Sequence, residues 1–318
     1  MGRLRGTVAL VTGASRGGGK GIALVLGENG ATVYVTGRSV RGQPATLGRP
    51  GTIDETAEQV TARGGTGIAV RCDHTDDAQV NAVFAQIAAE QGRLDLLVNN
   101  AWSGYEIAPD PALAFWEIQW RHWDLMFHGG LRAAAYASRL AASAMIEAGR
   151  GLIVNITWVL DRPHGHAYYE VVKNATNKLT EQMADDLRPY GVACVAVSPG
   201  FMRLERMSLT PEEASMAESA EFPRPRDRGA GRRSRRDGQV GEGVHHTPAG
   251  SRVRVHRHRR PPAVTFLGPA LGRNLGLSNT AAVLMAAPRR MLVRARTLTA
   301  APATMLPTIS AAMRALAE

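Results

Sequence analysis

Residues 7–26 leave this chain few folds to adopt. Thr7-Val-Ala-Leu-Val11 is a short apolar run, of the kind a strand buried on both faces requires. Thr12-Gly-Ala-Ser-Arg-Gly-Gly-Gly-Lys-Gly21 follows, and Ile22-Ala-Leu-Val-Leu26 opens a helical stretch. Glycines let the backbone turn sharply and let a phosphate approach the N–H groups and positive dipole end of the helix. A strand before and a helix after set this segment apart from a merely flexible glycine-rich loop. Gly13, Ser15, Arg16, Gly17 and Gly19 are therefore candidate anion-binding positions.

The same alternation continues to about residue 200. Candidate strands fall at 7–11, 32–36, 67–71, 95–98, 151–156 and 192–197. Helical patterns fall near 19–29, 53–63, 76–91, 112–126, 131–148 and 168–188. Strands alternating with helices predict an α/β fold, a Rossmann-like doubly wound parallel sheet with helices on both faces. Ligands bind such sheets outside the carboxyl ends of the strands. The glycine turn, Asp73, Asn99, Thr157 and Pro199 each follow a candidate strand, so they converge on one edge. Residues 39–52 are a Pro/Gly-rich excursion and predict a surface loop.

Tyr169-Glu-Val-Val-Lys173 carries the chemistry. A spacing of four puts a phenol and an ammonium on one helical face, one turn apart. The ammonium favours the phenolate and draws its pKa toward the working range of an acid or base. The end of the second strand bears on cofactor choice. Gly37 and Arg38 stand where an acidic residue would hold the ribose hydroxyls of NAD, and Arg16 lies nearby in the glycine turn. Two guanidinium groups suit a 2′-phosphate, and so NADP(H) over NAD(H); the alternative is a pair of solvated arginines. Asp73 is placed near the adenine and Asn99 at the cofactor side of the cleft, and each also fits ordinary turn chemistry.

These motifs resemble the short-chain dehydrogenase/reductase family over roughly residues 4–222. Thr12, Gly13, Gly17 and Gly19 match its glycine motif, and Asn99-Asn-Ala101 its Asn-Asn-Ala motif, with Trp102 where glycine is usual. Tyr169 and Lys173 match its Tyr-x-x-x-Lys motif, and Pro199-Gly200 its Pro-Gly motif. Thr36-Gly-Arg38, Cys72-Asp-His-Thr-Asp76 and Phe115-Trp116 resemble the subgroup around dehydrogenase/reductase member 1.

The resemblance implies an NADP-dependent oxidoreductase that moves a hydride between the cofactor and a carbonyl or alcohol. Tyr169 would be the acid or base, and Lys173 would lower its pKa and bind the nicotinamide ribose. Thr157, twelve residues before Tyr169, stands for the family's serine; the alternative is a β-branched strand-end residue. His128 aligns with the family's asparagine, as a proton relay or as a structural histidine. The cofactor set it implies adds Ala101, Pro199 and Gly200 to the positions above. Leu204 stands where the family has a threonine that bonds the carboxamide, which erodes the site. A non-catalytic dinucleotide-binding protein is the competing reading.

All five tryptophans lie within residues 102–158. Trp102 and Trp158 would wall an apolar substrate pocket. Trp116, Trp120 and Trp123 have the spacing of one helical face, which suits core or subunit interface in a homo-oligomer better than a pocket. His128, His164 and His166 form no metal-ligand pattern with the carboxylates, so no metal is expected.

The net charge of +10 would suggest nucleic acid, but its distribution argues against that for the enzyme-like part. Residues 1–222 carry 20 Lys+Arg against 24 Asp+Glu, and residues 223–318 carry 18 against 4. The tail's arginine runs lack interleaved aromatics for stacking, which leaves basic-tail binding of nucleic acid the weaker alternative. Its codons, read one base on from residue 228, permit a helix-turn-strand pattern, so a frameshift accounts for residues 223–318 as a basic, partly disordered tail. The seventh strand of the family would then be missing. Residues 280–318 are Ala-rich and suit helix. Two cysteines in apparent strands read as buried thiols. With no signal peptide and no run of membrane-spanning length, the expectation is a cytoplasmic protein away from membranes.

Overall fold

The computed structural model describes residues 3–43, 46–107, 110, 112–158 and 166–199, with backbone segments at 202–203, 218–219, 265–266 and 281–284. Gly200 and Leu204, and the basic stretch 223–260, lie outside the described residues.

Six parallel strands form the centre. In chain order they are β1 (Val8–Val11), β2 (Thr32–Gly37), β3 (Thr66–Arg71), β4 (Leu96–Asn99), β5 (Gly151–Ile156) and β6 (Val192–Ser198), arranged β3-β2-β1-β4-β5-β6. The order reverses between β1 and β4, where ligands of doubly wound sheets bind. β1 pairs Leu10 with Tyr34 on one side and with Leu97 on the other.

The period of two along each strand splits the core into two layers. Ala9, Val11, Val33, Val35 and Val98 face α1 (Gly17–Glu28) and α2 (Ile53–Ala62), which contribute Leu26, Ile53 and Val60. Leu10, Tyr34, Leu97 and Ile153 face α3 (Asp77–Gln91), α5 (Ala133–Ala148) and α6 (Ala167–Leu187), which contribute Val83, Met145 and Ala184. Cys72 and Cys194 are free and buried, and burial pushes both thiols up to about 12.

The segment 112–126 departs from the helix its periodicity predicts. The helix α4 begins only at Trp120 (Trp120–Met126). Side chains stabilise turns before it: Asp110 Oδ1 accepts from the Ala112 N–H at 2.9 Å, and Glu117 Oε2 accepts from the Ala114 N–H at 2.8 Å. Trp116 therefore does not share a helical face with Trp120 and Trp123. Between α4 and α5 runs a π-helical turn, Phe127–Arg132, closed by the Ala133 N–H donating to the His128 carbonyl.

The edge beside β6 also differs. Ala281–Leu284 pairs antiparallel with β6, Ala282 opposite Val197, and Thr265–Phe266 pairs antiparallel with it in turn. Ala281–Leu284 is strand, where its composition suggested helix. The position that would stand empty without a parallel seventh strand is occupied by this antiparallel one. No helix among the described residues is long and apolar enough to cross a membrane.

Candidate functional site

The glycine turn is built for close approach. Gly13 has φ +63°, and a Cβ there would lie 2.7 Å from the Ala101 Cα. Gly17 also has positive φ, +59°. A Cβ on Gly19 would lie 2.6 Å from the Gly13 carbonyl oxygen and would strike the Asn100 side chain. Helix α1 starts with no side-chain cap from Arg16 and no acidic residue in its first turn. Its N-terminus thus presents a helix dipole that no first-turn acid opposes, and the cradle fits a dinucleotide pyrophosphate.

Two neighbours fix this turn. The Thr12 hydroxyl accepts from the N–H groups of Asn100 and Ala101, each at 3.0 Å. Asn100 Nδ2 donates to the carbonyls of Thr12 and Gly13 at 3.0 and 2.9 Å. Asn99 Nδ2 donates inward, to Ser138 Oγ at 2.9 Å and Asn155 Oδ1 at 2.8 Å, tying β4 to α5 and β5. Asn99 is thus structural at the cofactor edge, and Asn100 is the residue that grips the glycine turn. Ser15 is buried against Gly37, and Pro199 is buried at the end of β6.

The arginines differ in their surroundings. Arg16 donates to Ser39 Oγ at 2.5 Å, Gly51 O at 3.0 Å and Thr46 O at 3.2 Å, so it anchors the 39–52 excursion. Arg38 stands at the end of β2 as expected, yet its Nη2 meets Glu106 Oε1 at 2.5 Å, and its Nη1 lies 3.8 Å from Asp73 Oδ2. Asp73 Oδ1 accepts from the N–H and hydroxyl of Thr75, at 3.0 and 2.7 Å. Glu106 carries no sequence motif and was not anticipated. His74, which the sequence offers only as part of the Cys72–Asp76 motif and with no role, is buried beside Thr36 Oγ1 at 2.8 Å, and burial lowers its imidazole to about 4.

Tyr169 and Lys173 share one face of α6. The Lys173 Nζ lies 5.7 Å from the Tyr169 ring centre, 4.0 Å over the Trp102 ring, and donates to the Ile156 carbonyl at 3.3 Å. Burial lowers the Lys173 ammonium to about 7. The Trp102 ring meets Tyr169 edge-on at 5.5 Å. A Cβ on Gly104 or Gly130 would enter the indole, at 2.7 and 2.6 Å, so these glycines make room for it. Thr157 is buried at the end of β5, and its hydroxyl donates to the Lys173 carbonyl at 3.2 Å. That bond positions it beside the Tyr-Lys pair.

His128 does not join this group: it is exposed on the π-helical turn, its ring edge-on to Phe127 at 5.6 Å. The relay expected of its side chain therefore has no support here. Trp120 stacks on Trp123 at 5.8 Å and Trp123 on Phe127 at 5.7 Å, with Tyr168 edge-on to both tryptophans. Trp120 is 64 % exposed at the rim of this cluster, whose other rings are half-buried, and Phe115 and Trp116 on the turns before α4 are 59 % and 74 % exposed. No group of His, Cys, Asp and Glu among the described residues has the arrangement of a metal site.

A family model described as short chain dehydrogenase matches residues 7–214. The human protein dehydrogenase/reductase SDR family member 1 is 40 % identical over 209 residues, covering 64 % of this chain and 62 % of its own. The chain thus spans less than two thirds of that relative. Cyclohexanol dehydrogenase of Rhodococcus sp. is 30 % identical over 215 residues, covering 64 % of this chain and 77 % of its own. Among solved structures, a metagenomic short-chain oxidoreductase in complex with NADP superposes with a TM-score of 0.55 at 33 % identity, covering 63 % of this chain and 86 % of that one.

Proposed function

The chain belongs to the short-chain dehydrogenase family, and on that premise we propose that it is an oxidoreductase moving a hydride between NADP(H) and a carbonyl or alcohol substrate. The observation that carries this is the pairing of Tyr169 with Lys173, whose Nζ lies 5.7 Å from the phenol ring, at the sheet edge that also holds the glycine turn. Gly13, Gly17 and Gly19 would hold the pyrophosphate, Arg38 the 2′-phosphate and Lys173 the nicotinamide ribose. Bound there, the nicotinamide supplies or accepts the hydride.

The chain's own groups do the rest. In reduction the Tyr169 hydroxyl gives its proton to the carbonyl oxygen as negative charge develops on it. The Lys173 ammonium favours the phenolate left behind. Thr157, turned from the Lys173 carbonyl, would donate to the same substrate oxygen. In oxidation the phenolate takes the proton back. The preference for NADP over NAD is supported by Arg38, which takes the position of an acidic residue at the end of β2, and by the NADP bound to a similar structure. An apolar substrate suits the half-buried aromatic cluster of Trp120, Trp123, Phe127 and Tyr168. Phe115 and Trp116, exposed on the turns ahead of α4, would serve a homo-oligomer.

A binding protein without turnover is the second reading, favoured by the exposure of His128. NADPH oxidation assayed against a panel of apolar ketones and aldehydes decides between them. Turnover supports the enzyme, and tight NADPH binding with no turnover on any carbonyl supports the binding protein.

A further inference from the structure

The first turn of α6 is held by a histidine whose role no motif announces. His166 is the N-cap, and its Nδ1 accepts from the Tyr169 N–H at 3.4 Å. An imidazole nitrogen that accepts is unprotonated, so the proton of the neutral ring sits on Nε2. That nitrogen is buried with no hydrogen-bond partner among the described residues. The His122 ring from α4 lies 5.1 Å away, at 67°. His122 is buried too, and its Nε2 lies 3.1 Å from the Ile107 carbonyl. A chain of contacts therefore runs from the loop that carries Glu106, through two imidazoles, to the backbone of Tyr169.

We propose that His166, backed by His122, is a positioning residue for Tyr169: its neutral ring fixes the first turn of α6, and protonation of that ring releases the turn and misplaces the phenol. This rests on the reading of Tyr169 as the acid–base group. The reason is the sign of the contact. An N-cap must accept, because the first-turn N–H groups have no partner inside the helix. A protonated imidazole has only donors. Its Nδ1–H would then face the Tyr169 N–H, and its charge would sit at the positive end of the helix dipole. Among the described residues the titratable groups around it are His122 from α4, and Tyr168, Tyr169 and Glu170 from its own helix. Glu170 Oε1 is buried without a hydrogen-bond partner among the described residues. Burial first, then the neighbouring His122, lowers the His166 pKa, so the cap persists through neutral pH and fails on the acid side.

The test follows the cap and the activity separately. Nitrogen-15 NMR of the full chain tracks the His166 ring and the Tyr169 amide between about pH 4 and 8, and kcat for carbonyl reduction is measured over the same range. His166→Asn offers a side-chain oxygen that accepts but does not titrate, whereas His166→Ala offers nothing. The Tyr169 amide should shift with the His166 titration. His166→Ala should lower kcat by about ten- to a hundredfold with KM little changed. His166→Asn should restore most of it and lose the acid limb. If wild type and His166→Asn share the same acid limb, or if His166→Ala lowers only the melting temperature, the proposal is overturned. A Tyr169 amide that tracks His166 in a protein with no turnover on any carbonyl supports the cap and sinks the catalytic reading instead.

Discussion

Glu106→Gln should tighten NADPH binding selectively. In the structure Arg38 is engaged, with its Nη2 2.5 Å from Glu106 Oε1 and its Nη1 3.8 Å from Asp73 Oδ2. A 2′-phosphate reaching Arg38 must displace the Glu106 carboxylate or sit beside it, like charge against like. Hydrogen bonds to charged groups contribute about 1.5–3 kcal/mol, and fully exposed ion pairs only about 0–1. The Arg38 and Glu106 side chains are 33 % and 15 % exposed, which places the pair between those cases, near 1–1.5 kcal/mol. Glutamine keeps the shape and removes the charge, so most of that opposition disappears. The expected gain is about five- to tenfold in NADPH affinity, at about 1.4 kcal/mol per factor of ten. NADH lacks the phosphate and should change less than twofold by the same reasoning. Fluorescence titration of both reduced cofactors against wild type and Glu106→Gln, at one fixed salt concentration, measures this. Weaker NADPH binding in the variant would show that Glu106 aims Arg38 at the phosphate, and equal changes for both cofactors would mean that Arg38 does not meet the phosphate at all.

Other outcomes follow from the same geometry. Arg38→Ala should weaken NADPH binding by about ten- to a hundredfold and leave NADH nearly unchanged, as direct titration would show. Lys173 is charged in the folded chain only below about pH 7, whereas an unfolded lysine stays charged to about 10.4. Between those values the unfolded chain binds more protons, so this lysine's contribution makes stability rise with pH, and Lys173→Met should flatten that rise in urea denaturation. For the same reason kcat/KM for carbonyl reduction should fall as pH climbs through about 7, because the ammonium beside Tyr169 is lost. Gly13→Ala should cost about 1–3 kcal/mol, since φ is +63° and the new Cβ would lie 2.7 Å from the Ala101 Cα; chemical denaturation measures it.

Much of the framework was legible in local patterns. Val8–Val11 and Val192–Ser198 announce themselves as apolar runs, and Gly13 and Gly17 mark places where φ is positive. Tyr169 and Lys173 are four apart on one helix, so their proximity follows from helical geometry alone. What escaped the sequence is contact between distant segments. Arg38 and Glu106 are 68 residues apart, and no local periodicity joins them. Trp102 stands where glycine is usual, but its place over Lys173 depends on the room left by Gly104 and Gly130. The three tryptophans from Trp116 to Trp123 misled, because spacing alone cannot see that Asp110 and Glu117 hold turns ahead of α4. His128 was placed by alignment with an asparagine, and the π-helical turn leaves it exposed. Ala281–Leu284 forms an antiparallel strand because β6 offers an edge, which composition does not encode.

The central claim is that Tyr169 is the acid–base group of an NADP-dependent oxidoreductase. Tyr169→Phe isolates it, because phenylalanine keeps the ring that meets Trp102 edge-on at 5.5 Å and removes only the hydroxyl. NADPH affinity and carbonyl-dependent NADPH oxidation are measured on the same preparation of wild type and variant. Binding should stay within about twofold, while the rate falls by about a hundredfold or more, the loss expected when a general acid is removed. A variant that binds NADPH as before and keeps most of the wild-type rate would contradict the assignment.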